Sequence, residues 1–262
     1  LKNNTSAQER KFQMKARAWL YLKTELITSN KMNSLYNPLG RPMHVAGLMS
    51  GSGSNLRKII EAERQLSKER GYNLFKVQVI FSDSVKSNAV QIGADYDIPV
   101  ITRDIAVYYG ARGKPKKDLS VRAEFDAETV RALSPFGIDV AAYAGYMSVA
   151  TPILVNKFLG INVHPADLSI TDSQGKRKYT GDHAVRDAIR SGENSIRSST
   201  HIITNDVDCG PILMVSAPVQ IVKSDSDARN DLVADTYQNA LKEKGDWVIF
   251  PKTLQYIAEG RY

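Results

Sequence analysis

The chain has 262 residues and a formal net charge of +7; 42% of its residues are hydrophobic and 24% are charged, which is typical of a globular protein with a sizeable core. Its single cysteine excludes an internal disulfide and favours a cytoplasmic location, and the positive charge favours anionic partners. No run approaches the roughly 20 apolar residues of a membrane span, and residues 1–24 mix charged with apolar positions unlike a secretory signal.

The first 43 residues differ from the rest of the chain. Apolar residues recur there at helical spacing between lysines and arginines: Phe12, Ala16, Trp19, Leu20, Leu26 and Ile27. This pattern predicts an amphipathic helix that packs on the main domain or on a second copy of the chain, in preference to a membrane or nucleic acid. Residues 37–42 then form a predicted linker. We therefore expect an arm and linker at 1–43, a main domain at 44–262, and a homo-oligomer formed through the arm.

From His44 onward, apolar strands alternate with helical stretches. The predicted strands lie at 44–49, 76–81, 98–101 and 138–142, and the predicted helices at 55–69, 86–95 and 124–134. This alternation indicates an α/β protein with a Rossmann-like, mostly parallel, twisted sheet and helices on both faces. Further strands are predicted at 159–163, 196–204 and 212–221, before a helical region from Asp225 to Glu259.

A glycine-rich turn follows the first predicted strand and runs directly into a helix. Its sequence, SGSGSNL, has Leu56 where a dinucleotide-binding loop needs a third glycine, and it lacks the lysine of a P-loop. What remains is a short series of backbone N–H groups at a helix start, together with the side chains of Ser52, Ser54 and Asn55. The turn therefore predicts a site for one phosphate, with a ligand-free tight turn as the alternative.

Two further motifs place polar side chains at the ends of strands. In GINVHPADL, Asn162 and His164 lie two residues apart at a strand end, so both project to the same side. An amide donor beside an imidazole suits a carbonyl under nucleophilic attack, although a lone strand-end histidine is more often structural. In TNDVDCGPIL, Asp208 lies at the tip of a turn and is a candidate site residue. The alternative is a purely structural turn. The spacing of these residues does not favour a metal site.

The remaining polar features give weaker evidence of a functional role. We interpret His183 as a surface or capping residue, and His201 as a strand position that faces the site loop or the core. Cys209 adjoins Asp208, but the sequence offers no feature that would lower its pKa for nucleophilic catalysis. The basic run 112–117 contains no aromatic residues that could stack on bases, so it predicts a solvated loop. We expect neither a nucleic-acid nor a membrane partner.

Taken together, the motifs show a family resemblance. The chain from His44 to about Glu259 resembles the folate-dependent formyltransferases through SGSGSNL, DVAAYAGYMS, GINVHP and DVDCGPIL, in the family's order and spacing. The resemblance implies the formyltransferase fold and transfer of a formyl group from 10-formyltetrahydrofolate to the primary amine of a phosphorylated acceptor. The expected acceptor is glycinamide ribonucleotide of purine biosynthesis, and no metal is implied.

The resemblance also assigns roles by position. Asn162, His164 and Asp208 match the family's catalytic residues. It implies that Asn162 and His164 donate hydrogen bonds to the formyl oxygen, while Asp208 sets the charge of His164 and helps to move the amine proton. The matched binding positions are Gly53, Ser54 and Asn55 for the phosphate, Gly145 and Asp246 for the rest of the acceptor, and Arg122, Met147, Ser148, Thr204, Asn205, Asp206 and Val207 for the folate.

Several positions depart from the family pattern. Ser148 stands where an arginine usually holds the folate tail, and Asp246 replaces a glutamate. Glu243 falls near the usual place of a phosphate-contacting lysine or glutamine, and residues 170–185 form a longer, more polar segment than expected. These departures leave three alternatives open: a formyltetrahydrofolate hydrolase, a formyltransferase for a sugar-nucleotide amine, and a non-catalytic folate- or nucleotide-binding relative.

Overall fold

The computed structural model describes residues 34–222 and 231–262, and its centre is a seven-stranded sheet. The strand order is β3-β2-β1-β4-β5-β7-β8, with a separate two-stranded sheet of β6 and β9. The strands are β1 (Met43–Met49), β2 (Phe75–Ser82), β3 (Val100–Thr102), β4 (Val140–Tyr143), β5 (Leu159–His164), β6 (Ser195–Ile196), β7 (Ser199–Ile202), β8 (Ile212–Val215) and β9 (Val219–Gln220). The predicted arm falls mainly on residues 1–33, which lie outside the described residues.

The helices lie between and after the strands. They are α1 (Ser54–Arg70), α2 (Ala89–Tyr96), α3 (Ile105–Gly110), α4 (Leu119–Leu133), α5 (Pro152–Val155), α6 (Ala184–Arg190), α7 (Asp231–Leu241) and α8 (Trp247–Ala258). A 3₁₀ turn follows α4, and a π-helical turn at Lys242–Asp246 joins α7 to α8. None of the helices within the described ranges is long and apolar enough to cross a bilayer.

The predicted parallel sheet is confirmed for β1 to β5. Strand β1 pairs in parallel with β2 on one side and with β4 on the other. The strands β2 and β3 are thus added on one side of β1, and β4 and β5 on the opposite side. In such sheets, ligands bind where the carboxyl ends of the strands diverge at this switch point. Strands β7 and β8 then run antiparallel to their neighbours and bring the later loops back to the same region.

Helices cover both faces of the sheet, as predicted. Val45 of β1 belongs to a buried cluster with Leu56 of α1 and Phe250 of α8. Leu48 of β1 belongs to a second cluster, which includes Phe125 of α4. Because successive strand residues point to opposite faces, the residues of β1 after His44 are all apolar and are buried on both sides of the sheet. The body of the protein is therefore a three-layer arrangement with β1 at its centre.

Two predicted strands are each divided in the structure. The stretch 196–204 splits into β6 and β7, and 212–221 splits into β8 and β9, because the chain changes sheet at Ser198 and Ser216. At this point the Ser198 N–H donates to Ser216 Oγ (2.9 Å), while the Ser216 N–H donates to the Ser198 carbonyl (2.9 Å). The prediction of two long strands was therefore wrong in length.

The residues before β1 pack against the body. Tyr36 is buried, and the Leu35 N–H donates to the carbonyl of Tyr262 at 2.6 Å. Arg41 pairs with Asp139 at 2.7 Å. The predicted linker and the described residues just before it are thus attached to the fold, and β1 begins at Met43, one residue before the predicted boundary.

Candidate active site

A cavity of about 540 Å³ opens at the carboxyl ends of β1, β4 and β5. All four motifs that the sequence singled out contribute to its wall, so the fold brings together residues more than 150 positions apart. The wall includes Gly51–Asn55, Tyr143–Ala150, Asn162–Pro165 and Thr204–Asp208. This volume is in the usual range for a small-molecule site.

The glycine-rich turn forms one end of the cavity at the start of α1. Gly53 has φ 69°, and a Cβ there would lie 2.4 Å from Ile92 Cδ1, so only glycine fits. Helix α1 begins at Ser54, and no side chain caps its first turn. A helix start of this kind presents backbone N–H groups and a partial positive charge to the cavity, which suits an anion.

His164 lies at the end of β5, with both ring nitrogens facing acceptors. Its Nε2 is 3.0 Å from the carbonyl of Tyr179, and its Nδ1 is 3.4 Å from Oδ2 of Asp208. The carbonyl accepts only, so the Nε2 proton is held there. Burial lowers the pKa of the His164 imidazole, although the Asp208 carboxylate opposes this shift. The neutral ring therefore carries its lone pair on Nδ1, beside an anion that stabilises the protonated form.

Asp208 is held in an uncommon backbone conformation. Its φ is 53°, in the left-handed region that aspartate tolerates better than most residues. The Gly181 N–H donates to its Oδ2 at 2.9 Å. Burial alone would raise the pKa of this carboxyl, but the charge of His164 and the Gly181 N–H hold it below its usual value. Asp208 is thus a buried carboxylate that stays ionised next to the two imidazoles.

His201 is a member of the site that the sequence did not assign. It lies directly opposite Asn162 in the β5–β7 pairing, and its Nε2 is 3.2 Å from Asn162 Nδ2 and 3.5 Å from Asp208 Oδ1. Its Nδ1 donates to the carbonyl of Ile202 at 3.0 Å. Nε2 is therefore free to accept one amide hydrogen of Asn162, whose second amide hydrogen can be donated to a ligand.

The far wall of the cavity comes from the C-terminal helices. Gln238, Lys242 and Asp246 line it, whereas the neighbouring Glu243 does not. At this wall the chain therefore presents Lys242, and not Glu243, to the cavity. Asp246 accepts from Ser198 Oγ at 2.5 Å and from Asn55 Nδ2 at 3.3 Å. Burial raises the pKa of Asp246, and these two hydrogen bonds only partly offset it.

The predicted folate residues form the opposite lip. Met147, Ser148 and the segment Thr204–Val207 line the cavity there, as does Gly145, which the resemblance assigns to the acceptor. Met147 is 67% exposed and Val207 58% exposed, so two apolar side chains flank the opening. Ser148 Oγ donates to the carboxylate of Asp83, which ties the lip to β2.

Arg122 is not part of this wall. It is 3% exposed, and its Nε donates to the carbonyl of Val149 at 2.5 Å beneath the lip. Its position on α4 turns the side chain into the core, because Val121 and Phe125 on the same helix pack against the sheet. We therefore correct the predicted contact of Arg122 with the folate tail: the side chain supports the lip from below.

Metal ligation and nucleophilic catalysis by cysteine are the two other candidate chemistries. Within residues 34–222 and 231–262, no three or more His, Cys, Asp or Glu side chains are grouped as a metal would require. Cys209 is exposed and follows Asp208 directly, without itself lining the cavity.

The chain is similar to known proteins of one family. The formyl transferase family model matches residues 43–248 of the chain. Phosphoribosylglycinamide formyltransferase of Escherichia coli (strain K12) is 26% identical over 221 residues, which cover 84% of this chain and 89% of that protein. The human trifunctional purine biosynthetic protein adenosine-3 is 26% identical over 219 residues, or 82% of this chain but 18% of that protein.

Solved structures share the fold. Glycinamide ribonucleotide transformylase 1 from Symbiobacterium toebii superposes with a TM-score of 0.64 at 24% identity, over 87% of this chain and 94% of that one. Phosphoribosylglycinamide formyltransferase from Campylobacter jejuni gives a TM-score of 0.64 at 21% identity, over 82% and 97% of the two chains. These similarities establish the α/β architecture described above.

Proposed function

Because the chain belongs to the formyl transferase family, we propose that it transfers a formyl group from 10-formyltetrahydrofolate to the primary amine of glycinamide ribonucleotide. The chain is an enzyme of the formyltransferase type, and relatives named for this reaction match more than four-fifths of it. The observation that carries the proposal is that Asn162, His164 and Asp208 share one cavity with the α1 N-terminus.

The phosphorylated acceptor occupies the end of the cavity formed by α1. Its phosphate binds the N–H groups of Gly53–Asn55, with Lys242 supplying a positive charge on the facing wall. Asp246, also on this wall, accepts hydrogen bonds from the acceptor's ribose hydroxyls. A hydrolase has no need of a phosphate site, so this end of the cavity favours an acceptor other than water.

The folate donor fits the lip on the other side. Met147 and Val207 offer exposed apolar surface to an aromatic ring system, and the backbone from Thr204 to Asp206 offers polar groups to its edge. The donor contributes the reactive formyl group when bound. With Ser148 tied to Asp83, the donor's acidic tail does not meet the arginine that the family usually places there.

Asn162 stabilises the charge that develops during transfer. As the amine adds to the formyl carbon, negative charge builds on the formyl oxygen, and the Asn162 amide hydrogen not used by His201 is donated to it. Removal of one such donor typically slows the chemical step by a factor on the order of 100. The Nε2 proton of His164 is donated to the Tyr179 carbonyl. We therefore do not assign His164 the role of a donor to the formyl oxygen.

His164 and Asp208 handle the amine proton. Neutral His164 accepts it at Nδ1 as the nitrogen becomes bonded to carbon, and the imidazolium that results has an acceptor at each ring nitrogen. The Asp208 carboxylate, which stays ionised, stabilises this cation. The proton then passes to the departing N10 of the folate, so the pair ends the reaction in its starting state.

We also propose the domain arrangement that the sequence suggested. Residues 44–262 form the catalytic unit, since α8 continues the same buried core beyond the family match. Residues 1–43 act as an attached arm through which two copies of the chain associate, and the enzyme works in the cytoplasm. Analytical ultracentrifugation of the full chain and of a chain lacking residues 1–33 tests the association directly.

A spectrophotometric assay of tetrahydrofolate release tests the main proposal. We expect release from 10-formyltetrahydrofolate only when glycinamide ribonucleotide is present, and a loss on the order of 100-fold or more in His164→Ala and Asp208→Asn. The exposed His183→Ala serves as the matched control and should keep full activity. Release without any acceptor would instead identify a hydrolase, and silence with both substrates would exclude this acceptor.

A further inference from the structure

A hairpin at residues 170–181 reaches the catalytic residues from outside the parallel sheet. Thr171 pairs with Arg177 in antiparallel fashion, and the Lys178 N–H donates to the Ile170 carbonyl at 3.0 Å. The Asp172 side chain closes the turn, because its Oδ1 accepts from the N–H groups of Gln174 and Lys176, each at 2.9 Å. This hairpin lies in the segment whose length and polarity depart from the family pattern.

The second arm of the hairpin makes four contacts with the active site. Arg177 donates from Nη1 to the Asp208 carbonyl and from Nη2 to the Gly210 carbonyl, the latter at 2.8 Å. Two residues further on, the Tyr179 carbonyl accepts from His164 Nε2, and Gly181 donates to the Asp208 carboxylate. One short segment therefore holds the backbone of Asp208, its side chain and the ring of its partner.

We propose that Arg177 is a positioning residue, whose guanidinium binds the carbonyls on both sides of Cys209 and keeps the Asp208 carboxylate against His164. This inference rests on the proposed function for its catalytic meaning, while the geometry it describes belongs to the structure alone. It extends the site to a residue that touches neither substrate, since Arg177 does not line the cavity.

The backbone of Asp208 explains why such a restraint is needed. At φ 53° the residue is in a conformation that most side chains avoid, so an unrestrained turn would relax and move the carboxylate. The planar guanidinium can donate two parallel hydrogen bonds to two carbonyls, which a lysine ammonium cannot reproduce.

The hairpin itself is firmly placed. Tyr179 is buried, and its hydroxyl donates to Glu193 at 2.5 Å in the segment after α6. Tyr179 also belongs to the buried cluster that joins α6 to α7. The backbone of Arg177 is therefore held in place, and a change in its side chain first affects the turn whose carbonyls it binds.

Kinetics of the Arg177 variants test the proposal with the full chain. We expect Arg177→Lys and Arg177→Gln both to lower kcat by about 10- to 100-fold, with the KM of either substrate changed by less than about twofold. Lys176→Gln changes the exposed neighbour in the same hairpin and should keep the original kcat. A normal kcat in Arg177→Lys, or a rise in KM at constant kcat, would overturn the proposal.

Titration of His164 provides a test that needs no activity. Four histidines are present, so ¹³C-labelled histidine gives four ring signals, of which His164→Gln identifies one. The groups that face His164 are Asp208, His201, Asp182 and the Tyr179 carbonyl. Arg177→Lys keeps the local charge, so displacement of the Asp208 carboxylate should lower the pKa of His164 by about one unit.

The two measurements separate failure of the inference from failure of the proposed function. An unchanged His164 titration in Arg177→Lys would overturn the positioning role, whatever the enzyme's substrate. A shifted titration in a protein without formyl transfer would uphold the positioning role and reject the function. An unaltered His44 ring signal and unfolding temperature confirm that the variant is folded.

Discussion

At the scale of one residue, Asp246 lowers stability at the position where we propose that the acceptor binds. Its carboxylate is buried between Asn55 and Ser198, and burial raises its pKa above the ordinary value. The folded state therefore binds a proton more tightly than the unfolded chain does. The ionised form of this group therefore lowers the free energy of unfolding, and the penalty disappears as the pH falls.

Asp246→Asn should stabilise the protein and impair acceptor binding. The Asn55 Oδ1 is buried without a hydrogen-bond partner, so a flipped Asn55 amide can accept from the new side chain. We expect the free energy of unfolding at pH 7 to rise by about 1 kcal/mol, and the KM for the acceptor to rise as well. Urea unfolding at pH 7 and at pH 4 checks this, since the gain should shrink at the lower pH.

The matched control is Asp235→Asn on the exposed side of α7, which should change stability by less than about 0.5 kcal/mol. Equal stabilisation by both substitutions would mean that net charge, and not the buried position of Asp246, is responsible.

Single residues differ in how far the sequence reveals them. Asn162, His164 and Asp208 were visible because each lies in a short motif at or near the end of an apolar strand. Gln238, Lys242 and Asp246 succeed one another at intervals of four, a helical signal that would have placed all three on one side. His201 gave no such signal, because its role depends on its register opposite Asn162, and long-range pairing is not encoded in either strand alone.

At the scale of the element, the turn that carries Asp208 depends on a close backbone approach. A Cβ on Gly210 would lie 1.8 Å from the Ile202 carbonyl oxygen, which accommodates no side chain. The same glycine offers its own carbonyl to Arg177. The turn is thus packed onto the end of β7 and cannot shift without losing the contacts with His164 and Arg177.

Gly210→Ala should therefore displace the turn. We expect a loss of about 2 kcal/mol or more in the free energy of unfolding, because backbone cannot move aside as a flexible side chain does, with activity reduced as well. Thermal unfolding and the tetrahydrofolate release assay measure the two effects.

Gly110→Ala at the end of α3 is the control, since a Cβ there meets nothing within 4 Å. It should leave stability within about 0.5 kcal/mol of the original value, and activity unchanged. Similar losses in both variants would show that the effect does not come from contact with Ile202.

Elements with a strong period were predicted best. Strands β1, β2 and β5 and helix α1 agree with the sequence to within about two residues at each end, because buried strands and amphipathic helices carry clear patterns. Helix α3 was missed, although Asp104 caps it by accepting from the N–H groups of Ala106 and Val107. The division of the two long predicted strands at Ser198 and Ser216 followed from contacts between distant segments.

At the scale of the whole molecule, the site makes the fold sensitive to acid. The pKa of His164 is lowered on folding, so the unfolded chain binds more protons as the pH falls through about 6.5. The free energy of unfolding consequently decreases below neutral pH. The lowered pKa of Asp208 acts in a separate window, where stability is lost as the pH falls below about 4.

His164→Gln should make the protein less sensitive to mild acid. With no imidazole to protonate, we expect the loss of unfolding free energy between about pH 7 and pH 5 to be smaller by about 1 kcal/mol. Denaturant titrations at several pH values measure this slope. His183→Gln removes an exposed imidazole and should preserve the original slope; an equally flattened slope there would contradict the assignment to His164.

The position of Cys209 has a practical consequence. It is the chain's one thiol, it is exposed, and it lies between the two carbonyls that Arg177 binds. A maleimide fluorophore would therefore attach at a single point, one residue from Asp208, without any prior mutagenesis. Displacement of this turn, such as we expect in Arg177→Lys, thereby becomes directly observable as a change in emission, even one molecule at a time.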